Sequence, residues 1–401
     1  MKYLLSGAWG YGNIGDDAIL ETTLALIGKL DPNAEIVCTT YDCEYTSEAG
    51  LKLPAPLLLS MHRVLSGTEG FWFMTEKEHA VGSYLWPRIP QRVYQRFVQP
   101  ILQKISIASD RRRTHGGYDA IVAEFKKADV FLMSGGGYFN TWPEQFNARI
   151  RELQLAHEAK CKVVLFGQSI GPFTEEQKGV LKKTLWPTDV ICVRDPESVF
   201  ELKELGFDVA LAPDLAMWAS RPQNIEKGLV TVCPAEIQKW QEVVLADQIS
   251  KMVEESGCRV RLMLTRWIDP DVATLKRLER RLCKNGISNV ETLYPKTYPT
   301  VLAALEGSEW VISRGLHAMI LAWRTGSRVF AITKSRKVDG FLQAINSSDN
   351  QCQESNWNNL AEIFAQQASL PFTWDSALHQ QVAQKIENAF VDAFKKIGVV
   401  R

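Results

Sequence analysis

The sequence predicts an α/β fold made of two Rossmann-like domains whose parallel sheets face each other across a cleft, an arrangement like that of the GT-B fold. Three observations support this prediction. The 401 residues exceed one ordinary hydrophobic core, so two domains are expected. Short apolar runs alternate with helix-length segments, as in parallel βαβ units. A polar stretch from Pro222 to Gly228 interrupts the alternation, which then starts again.

The predicted boundaries follow from this interruption. The N-terminal domain is expected at residues 1–222 and the C-terminal domain at 223–375. Residues 376–401 have apolar side chains at helical spacing, which predicts a closing helix that packs back on the N-terminal domain. Strands of the first domain are expected at 3–6, 36–40, 130–134, 163–168, 190–193 and 209–212. Those of the second domain are expected at 229–233, 260–265, 289–293, 310–313 and 328–332.

Composition excludes several classes of protein. Lys plus Arg and Asp plus Glu both number 46, so no net charge favours a nucleic-acid partner. The eight cysteines include no C-x-x-C pair and are typical of reduced thiols in a cytoplasmic protein. No cluster of His, Cys and acidic residues has metal-ligand spacing, so no metal is expected. No apolar run approaches the length of a membrane span.

Residues 60–117 break the alternating pattern and are interpreted as an insertion in the first domain. From His79 to Ser109 there is no acidic residue, while basic and aromatic residues interleave. Two interpretations remain open. The segment contacts an anionic surface, which would place the protein peripherally at the inner membrane face. Alternatively, it packs on the first domain with its basic face in solvent.

A glycine-rich loop follows the first predicted strand. Gly10, Gly12 and Gly15 match the G-x-G-x-x-G dinucleotide fingerprint. However, three residues separate the strand from the motif, and Asp16 and Asp17 occupy the helix start, where they would repel a pyrophosphate. A dinucleotide is therefore disfavoured, and carboxylates at this place suit the hydroxyl groups of a sugar.

Ligands of open parallel sheets gather at the carboxyl ends of the strands. In the first domain these ends carry Gly135, Gly136, Gly137, Gln168, Arg194 and Asp214. The glycines suit close approach of a ligand or a tight turn. Arg194 suits an anion or a structural pairing with Asp195, and Asp214 suits a helix cap or a hydroxyl contact.

The second domain supplies the strongest catalytic candidate. His317 follows a predicted strand and falls in the first turn of an apolar helix. The positive end of a helix lowers the pKa of a histidine and so favours a neutral base. After the next strand, Lys334 to Lys337 offer cations for a phosphate or carboxylate, and a solvated turn explains them equally well.

These segments resemble the polysaccharide pyruvyl transferase family, which attaches pyruvate from phosphoenolpyruvate to a glycan as a ketal. The resemblance covers most of the chain outside residues 60–117. The matching segments are 10–20, 134–137, 167–172, 193–198, 212–216, 316–320 and 337–341.

The resemblance implies an active site in the cleft between GT-B-like domains. Arg194 and His317 match the family's substrate-binding and catalytic arginine and histidine, and Asp16 is a third catalytic candidate. The expected donor contacts are Arg194, Arg314, Leu316, His317 and Lys337. The expected acceptor side comprises Gly12, Asn13, Asp16, Gly135, Gly136, Gly137, Gln168 and Asp214.

The chain departs from the family pattern at one position. The family has an arginine two residues before the histidine, whereas this chain has Gly315 there and Arg314 one position earlier. A shift of one residue at a strand end turns a side chain to the other face, so whether Arg314 replaces the usual donor contact stays open.

The expected co-substrate is phosphoenolpyruvate, with no resident cofactor. The expected acceptor is a glycan, which a membrane-bound insertion would suit in lipid-linked form. Two other functions remain open, since fold alone does not fix function. One is a GT-B glycosyltransferase that uses a nucleotide sugar, and the other is a catalytically silent glycan-binding relative.

Overall fold

The computed structural model describes residues 1–10, 12–41, 57–59, 101, 117–219, 224–235, 237–266, 269–287, 290–333, 335–372 and 374–399. Within them lie two parallel sheets of seven and five strands, each flanked by helices. The predicted fold class is therefore confirmed. The predicted insertion at 60–117 falls outside the described residues apart from Ile101 and Gly117, and the predicted boundary at residue 222 also falls outside them. The described residues contain no helix long and apolar enough to cross a membrane.

The N-terminal domain is built on a sheet of strand order β3-β2-β1-β4-β5-β6-β7. Its strands are β1 (Lys2–Ser6), β2 (Glu35–Thr40), β3 (Leu57–Leu59), β4 (Val130–Ser134), β5 (Lys162–Gln168), β6 (Val190–Val193) and β7 (Ala210–Leu211). Its helices are α1 (Ile14–Leu30), α2 (Gly117–Phe125), α3 (Pro143–Glu158), α4 (Glu175–Thr184) and α5 (Pro196–Glu204). A 3-10 turn follows at Leu215–Met217.

The C-terminal domain has the strand order β10-β9-β8-β11-β12. Its strands are β8 (Glu226–Cys233), β9 (Arg259–Met263), β10 (Val290–Leu293), β11 (Ser308–Ser313) and β12 (Arg328–Ala331). Its helices are α6 (Lys239–Ser256), α7 (Asp269–Lys284), α8 (Tyr298–Leu305), α9 (Leu316–Arg324), α10 (Arg336–Ala344) and α11 (Leu360–Ala368), with a 3-10 helix at Glu354–Asn359. The last helix, α12 (Ser376–Lys396), follows.

Because both faces of each sheet carry helices, central strands such as β4 and β5 are nearly continuous apolar runs and are buried, as expected for parallel sheets. The edge strands β7 and β10 are more exposed. One apolar cluster continues from the N-terminal sheet through α1 and α9 into the C-terminal domain. Helix α12 also belongs to it and packs on the N-terminal domain, where Phe390 meets Phe166 edge-on at 5.0 Å. The two domains thus share a core that fixes the cleft between them.

Arg324 ties the two domains together at the end of α9. Its side chain is fully buried, and its guanidinium donates hydrogen bonds to the carbonyl oxygens of Ala216 and Ala219 in the N-terminal domain. The Glu21 carboxylate of α1 lies 3.6 Å away. This contact seats the far end of α9 while its first turn faces the cleft.

Helix α12 buries His379 between two indole rings. The imidazole stacks on Trp323 with ring centroids 3.5 Å apart, and Trp374 lies 4.6 Å away on another side. Neither ring nitrogen has a hydrogen-bond partner among the described residues. This burial lowers the pKa of His379 to about 4.

We expect His379 to make the fold acid-sensitive. The unfolded chain takes up a proton near pH 6.5 and the folded chain only near pH 4, so unfolding becomes easier as pH falls through this interval. The loss in the free energy of unfolding is about 3 kcal/mol. A His379→Phe variant keeps the stacked ring without the titrating group. Urea unfolding at pH 7 and pH 4 should give a correspondingly smaller loss for the variant, and equal losses would contradict this interpretation.

Candidate active site

The glycine-rich loop after β1 closes over a buried indole. Trp9 is fully buried and its indole N–H donates to the carbonyl of Thr39. A Cβ at Gly7 would lie 2.1 Å from this indole, so the backbone passes directly over the ring. Gly10 and Gly12 have φ of 84° and 86°, which only glycine adopts freely. The extra length of the loop therefore accommodates a core tryptophan, and Asp16 and Asp17 at the start of α1 are buried beside it.

Arg194 and Asp214 form a buried ion pair at the carboxyl end of the N-terminal sheet. The Arg194 guanidinium donates to Asp214 and, through Nε at 2.8 Å, to the hydroxyl of Ser169. Asp214 also accepts the amide of Ala216 at 2.9 Å and so caps the 3-10 turn. Burial alone would raise the pKa of Asp214, but the Arg194 guanidinium, together with His317 and the amide of Ala216, outweighs burial and holds that pKa below its ordinary value. Asp214 is therefore a carboxylate.

The alternative pairing of Arg194 with Asp195 is not formed. Asp195 instead caps α5, where its carboxylate accepts the backbone amide of Ser198 at 2.9 Å and its hydroxyl at 2.6 Å. Because Asp195 caps α5, Arg194 pairs instead with Asp214, the carboxylate that follows the next strand.

His317 reaches this ion pair from the other domain. It lies in the first turn of α9, as predicted, with Gly315 as the N-cap. Its Nε2 is 3.9 Å from Oδ2 of Asp214 and has no hydrogen-bond partner among the described residues. Desolvation lowers the pKa of His317, and the carboxylates of Asp214 and Asp16 oppose that shift only in part. The imidazole is therefore neutral at pH 7 and open to a proton.

The His317 ring is seated by the third glycine of the G-x-G-x-x-G motif. A Cβ at Gly15 would lie 1.9 Å from both Cγ and Nδ1 of His317, so the ring rests on bare backbone of α1. This glycine serves a contact between domains that no analysis of the motif alone would have found.

Lys337 reaches across the cleft from the first turn of α10. Its Nζ would lie 2.6 Å from a Cβ at Gly137, so the ammonium sits against the loop of three glycines. Lys337 is among the exposed residues, yet protein surrounds its ammonium closely enough that desolvation lowers its pKa to about 8. The Arg194 guanidinium lowers this pKa further, which places two cations within electrostatic reach of each other.

Two other predicted residues border the same cluster. Asp16 accepts a hydrogen bond from the Asn13 side-chain amide at 2.7 Å. Its negative charge acts to raise the pKa values of Arg194, His317 and Lys337. Gln168 is fully buried, and within the described part of the chain neither atom of its amide has a partner. A buried amide in this state offers a donor and an acceptor to a bound molecule.

The ring of Tyr138 packs against the glycine loop that follows β4. Gly135 and Gly136 have φ of 62° and 81°, and a Cβ at Gly136 would lie 1.8 Å from the ring of Tyr138. The Tyr138 hydroxyl accepts the amide of Ala8 at 2.8 Å, and the Arg149 guanidinium lies 4.7 Å from the centre of its ring. Tyr138 thus links the two glycine-rich loops, a role that the sequence did not indicate.

Arg314 and Leu316 lie on the other side of His317. Arg314 pairs with Glu354 at 2.7 Å, and both line a cavity of about 910 Å³ in the C-terminal domain. Leu316 and Asn13 also line this cavity, whereas Arg194, Asp214 and Lys337 do not. The predicted site residues therefore fall into a compact charged cluster and an adjoining cavity, which meet at His317. Within the described ranges no group of three His, Cys or acidic side chains is placed to hold a metal ion.

The comparisons with known proteins concern the family and the fold of the chain. A family model described as polysaccharide pyruvyl transferase matches residues 13–335. No curated protein sequence matches the chain. Among solved structures, HepE from Anabaena in complex with UDP-glucose is similar at 12% identity and a TM-score of 0.52, over 100% of this chain and 97% of that chain.

Two nucleotide-sugar epimerases are also similar in fold. The UDP-GlcNAc 2-epimerase from Neisseria meningitidis, bound to UDP-GlcNAc, has 10% identity and a TM-score of 0.58, over 99% of both chains. The UDP-GlcNAc 2-epimerase from Methanocaldococcus jannaschii has 11% identity and a TM-score of 0.58, over 98% of this chain and 99% of that chain. At such identities these likenesses show the shared GT-B-type fold.

Proposed function

Because this chain belongs to the polysaccharide pyruvyl transferase family, we propose that it transfers pyruvate from phosphoenolpyruvate to two hydroxyl groups of a polysaccharide sugar and forms a ketal. The observation that supports this most strongly is the meeting of Arg194, Asp214, His317 and Lys337 from both domains at one point of the cleft. No resident cofactor is needed for the reaction, and none is proposed.

Phosphoenolpyruvate carries a carboxylate and a phosphate, and the cluster offers matching cations. We propose that Lys337 binds one of these anionic groups from the open side of the cleft. Arg194 is held in place by its hydrogen bonds to Asp214 and Ser169, and its remaining N–H groups donate to the other anionic group. Arg314 and Leu316 remain predicted donor contacts at the edge of the adjoining cavity.

The reaction needs two proton transfers that balance. The methylene carbon of phosphoenolpyruvate gains one proton and becomes a methyl group, which leaves an electron-poor C2. One acceptor hydroxyl attacks C2 and a second closes the ring, while the bond between C2 and the phosphate oxygen breaks. Of the two protons that the hydroxyls lose, one matches the proton on the methyl group and the other leaves with phosphate.

We propose that His317 accepts the proton of the attacking acceptor hydroxyl. Its neutral imidazole has an open Nε2 and lies beside the Asp214 carboxylate, which stabilises the imidazolium once the proton has moved. Asp16 and Gln168 are placed to orient the hydroxyl groups of the reacting sugar ring. Both belong to the acceptor side in this proposal.

A ligand panel tests the choice of substrate. Phosphoenolpyruvate, UDP, GDP and NAD are each added to the full-length protein, and the unfolding temperature is measured. A ligand at a hundred times its dissociation constant stabilises a protein by about 2.7 kcal/mol. We expect stabilisation by phosphoenolpyruvate. Stabilisation by a nucleotide alone would favour a nucleotide-sugar glycosyltransferase, as would suit the UDP-sugar complexes of its fold neighbours. If none of the four ligands raises the unfolding temperature, the result would favour a catalytically silent glycan-binding relative.

The low pKa of Lys337 predicts how binding depends on pH. Above about pH 8 the ammonium loses its proton, so the affinity for phosphoenolpyruvate should fall by up to tenfold per pH unit. In a Lys337→Arg variant the side chain stays charged, and the affinity should be nearly constant from pH 7.5 to 9.5. Lys337→Met should bind weakly throughout. Titration calorimetry measures all three, and an identical decline in the wild type and the arginine variant would refute the role of Lys337.

A further inference from the structure

A cavity of about 910 Å³ opens at the carboxyl ends of β8, β9 and β11 in the C-terminal domain. Helices α6, α7 and α9 form its walls, and the 3-10 helix that carries Glu354 contributes to its edge. Asn13 brings the N-terminal domain to the rim through an antiparallel bridge with Arg266. The cavity is therefore part of the cleft, and it is lined by His317 but not by Lys337.

Most of the charges of this cavity are paired. Three of its lining arginines each donate to a carboxylate: Arg266 to Asp271 at 2.7 and 2.9 Å, Arg277 to Glu242 at 2.8 and 3.0 Å, and Arg314 to Glu354 at 2.7 Å. Lys239, at the start of α6, also lines the cavity, so among the described lining residues the cations exceed these carboxylates by one. The pairs nearly cancel at a distance and leave donors and acceptors side by side. They suit the hydroxyl groups of an uncharged glycan better than a polyphosphate, which needs several cations in excess.

The remaining lining is also polar. Gln238, Gln241, Thr265, Thr274 and Thr333 add amide and hydroxyl groups around an apolar floor. Both kinds of surface match a sugar ring, which has hydroxyl groups at its edge and C–H groups on its faces.

The volume is far larger than phosphoenolpyruvate requires. A pocket of this size encloses most of the surface of a drug-sized ligand, which is comparable in size to about two to three sugar rings. His317 lines the cavity and also faces Asp214, so a sugar at the inner end reaches the imidazole without entering the charged cluster.

We propose that this cavity is the acceptor subsite and that it holds an uncharged oligosaccharide segment of about two to three rings, with the reacting ring at His317. The inference rests on the proposed function. The sequence predicts the acceptor site at the loops of the N-terminal domain. The cavity extends that site into the C-terminal domain, so that the N-terminal loops border only the reacting ring. The second and third rings contact Arg266, Arg277 and the glutamine side chains at the start of α6, whereas Arg314 stays at the boundary with the donor.

The test uses a size ladder of neutral oligosaccharides, released by mild acid hydrolysis from the polysaccharide of the source cells and separated into one, two and three rings. Binding to the full-length protein is followed by saturation-transfer NMR, and phosphoenolpyruvate binding by calorimetry. Gln238 is exposed at the N-cap of α6 and lines the cavity, so Gln238→Trp fills the mouth without disturbing the core. Lys251→Trp adds the same bulk to an exposed position of α6 outside the cavity and is the matched control.

We expect the wild type and Lys251→Trp to bind the three-ring fragment about tenfold more tightly than the one-ring fragment, and Gln238→Trp to lose this gain while it binds phosphoenolpyruvate normally. Equal binding of all fragment sizes by the wild type, or a gain that survives in Gln238→Trp, would overturn the subsite. Displacement of the fragments by pyrophosphate would do so too. Fragment binding with the expected pattern but no binding of phosphoenolpyruvate would leave the subsite standing and refute the proposed donor.

Discussion

Replacement of His317 with glutamine is expected to lower the rate of phosphate release from phosphoenolpyruvate, in the presence of acceptor glycan, by about 10²- to 10⁴-fold. Glutamine has a similar length and polarity but cannot take up the hydroxyl proton that the open Nε2 of His317 accepts. Because Arg194 and Lys337 remain, phosphoenolpyruvate should still bind. The loss should therefore appear in kcat, with little change in the calorimetric dissociation constant.

A second histidine provides the control for this experiment. His157 pairs with Asp189 at 3.0 Å and stacks on Trp186, just before the amino ends of β5 and β6 and so at the edge of the sheet opposite to the cluster. His157→Gln should leave kcat near the wild-type value. A His317→Gln enzyme with more than half of the wild-type kcat would show that the imidazole does not carry the proton.

Replacement of Gly15 with alanine is expected to have the second largest effect. The new methyl group would lie 1.9 Å from the His317 ring, so either the imidazole or the start of α1 must move by an ångström or more. A displacement of that size at a reacting group costs about 10²-fold in rate. Folding should survive, because the strain is relieved by moving one ring in the cleft, and the loss should again fall on kcat.

The same helix supplies the matched control. Gly28 lies in α1 as well, is exposed, and has no atom within 4 Å of its missing Cβ. Gly28→Ala should keep full activity and raise the free energy of unfolding by up to about 1 kcal/mol, since alanine favours a helix. Full activity of Gly15→Ala would refute the contact that seats His317, whereas equal losses in both variants would point to a general effect on α1.

The fold was predictable because its signals are local. Each long apolar run became a strand and each periodic segment a helix, and among the strands of the described residues only the short strand Leu57–Leu59 was missed. The positions of Arg194 and His317 were predictable for the same reason, since both follow a strand and so face the cleft. What decided these positions was the sequence within a few residues.

The partners of these residues were not predictable from local signals. Arg194 had a carboxylate next to it in sequence, but Asp195 caps its own helix and Asp214 takes the guanidinium. The contact between Gly15 and His317 joins positions 302 residues apart through the docking of two domains. The long lead-in to the glycine motif did not reveal that Trp9 packs in the core. Such contacts depend on sheet order and domain packing, which no single segment encodes.

Arg314 illustrates both what the sequence predicts and what it does not. The one-residue shift relative to the family pattern predicted that its side chain would face elsewhere, and it lies on the cavity side. Its partner there, Glu354, comes from a segment 40 residues later that no motif marked.

Following the carbon atoms of the donor tests the central claim most directly. The wild-type protein is incubated with phosphoenolpyruvate labelled with ¹³C at C2 and with the oligosaccharide ladder, and carbon and phosphorus NMR are recorded together. We predict a new quaternary carbon bonded to two sugar oxygens, with one phosphate released for each ketal formed. Release of free pyruvate without a ketal, or an unchanged donor in a sample that consumes a nucleotide sugar, would contradict the assignment of this chain as a pyruvyl transferase.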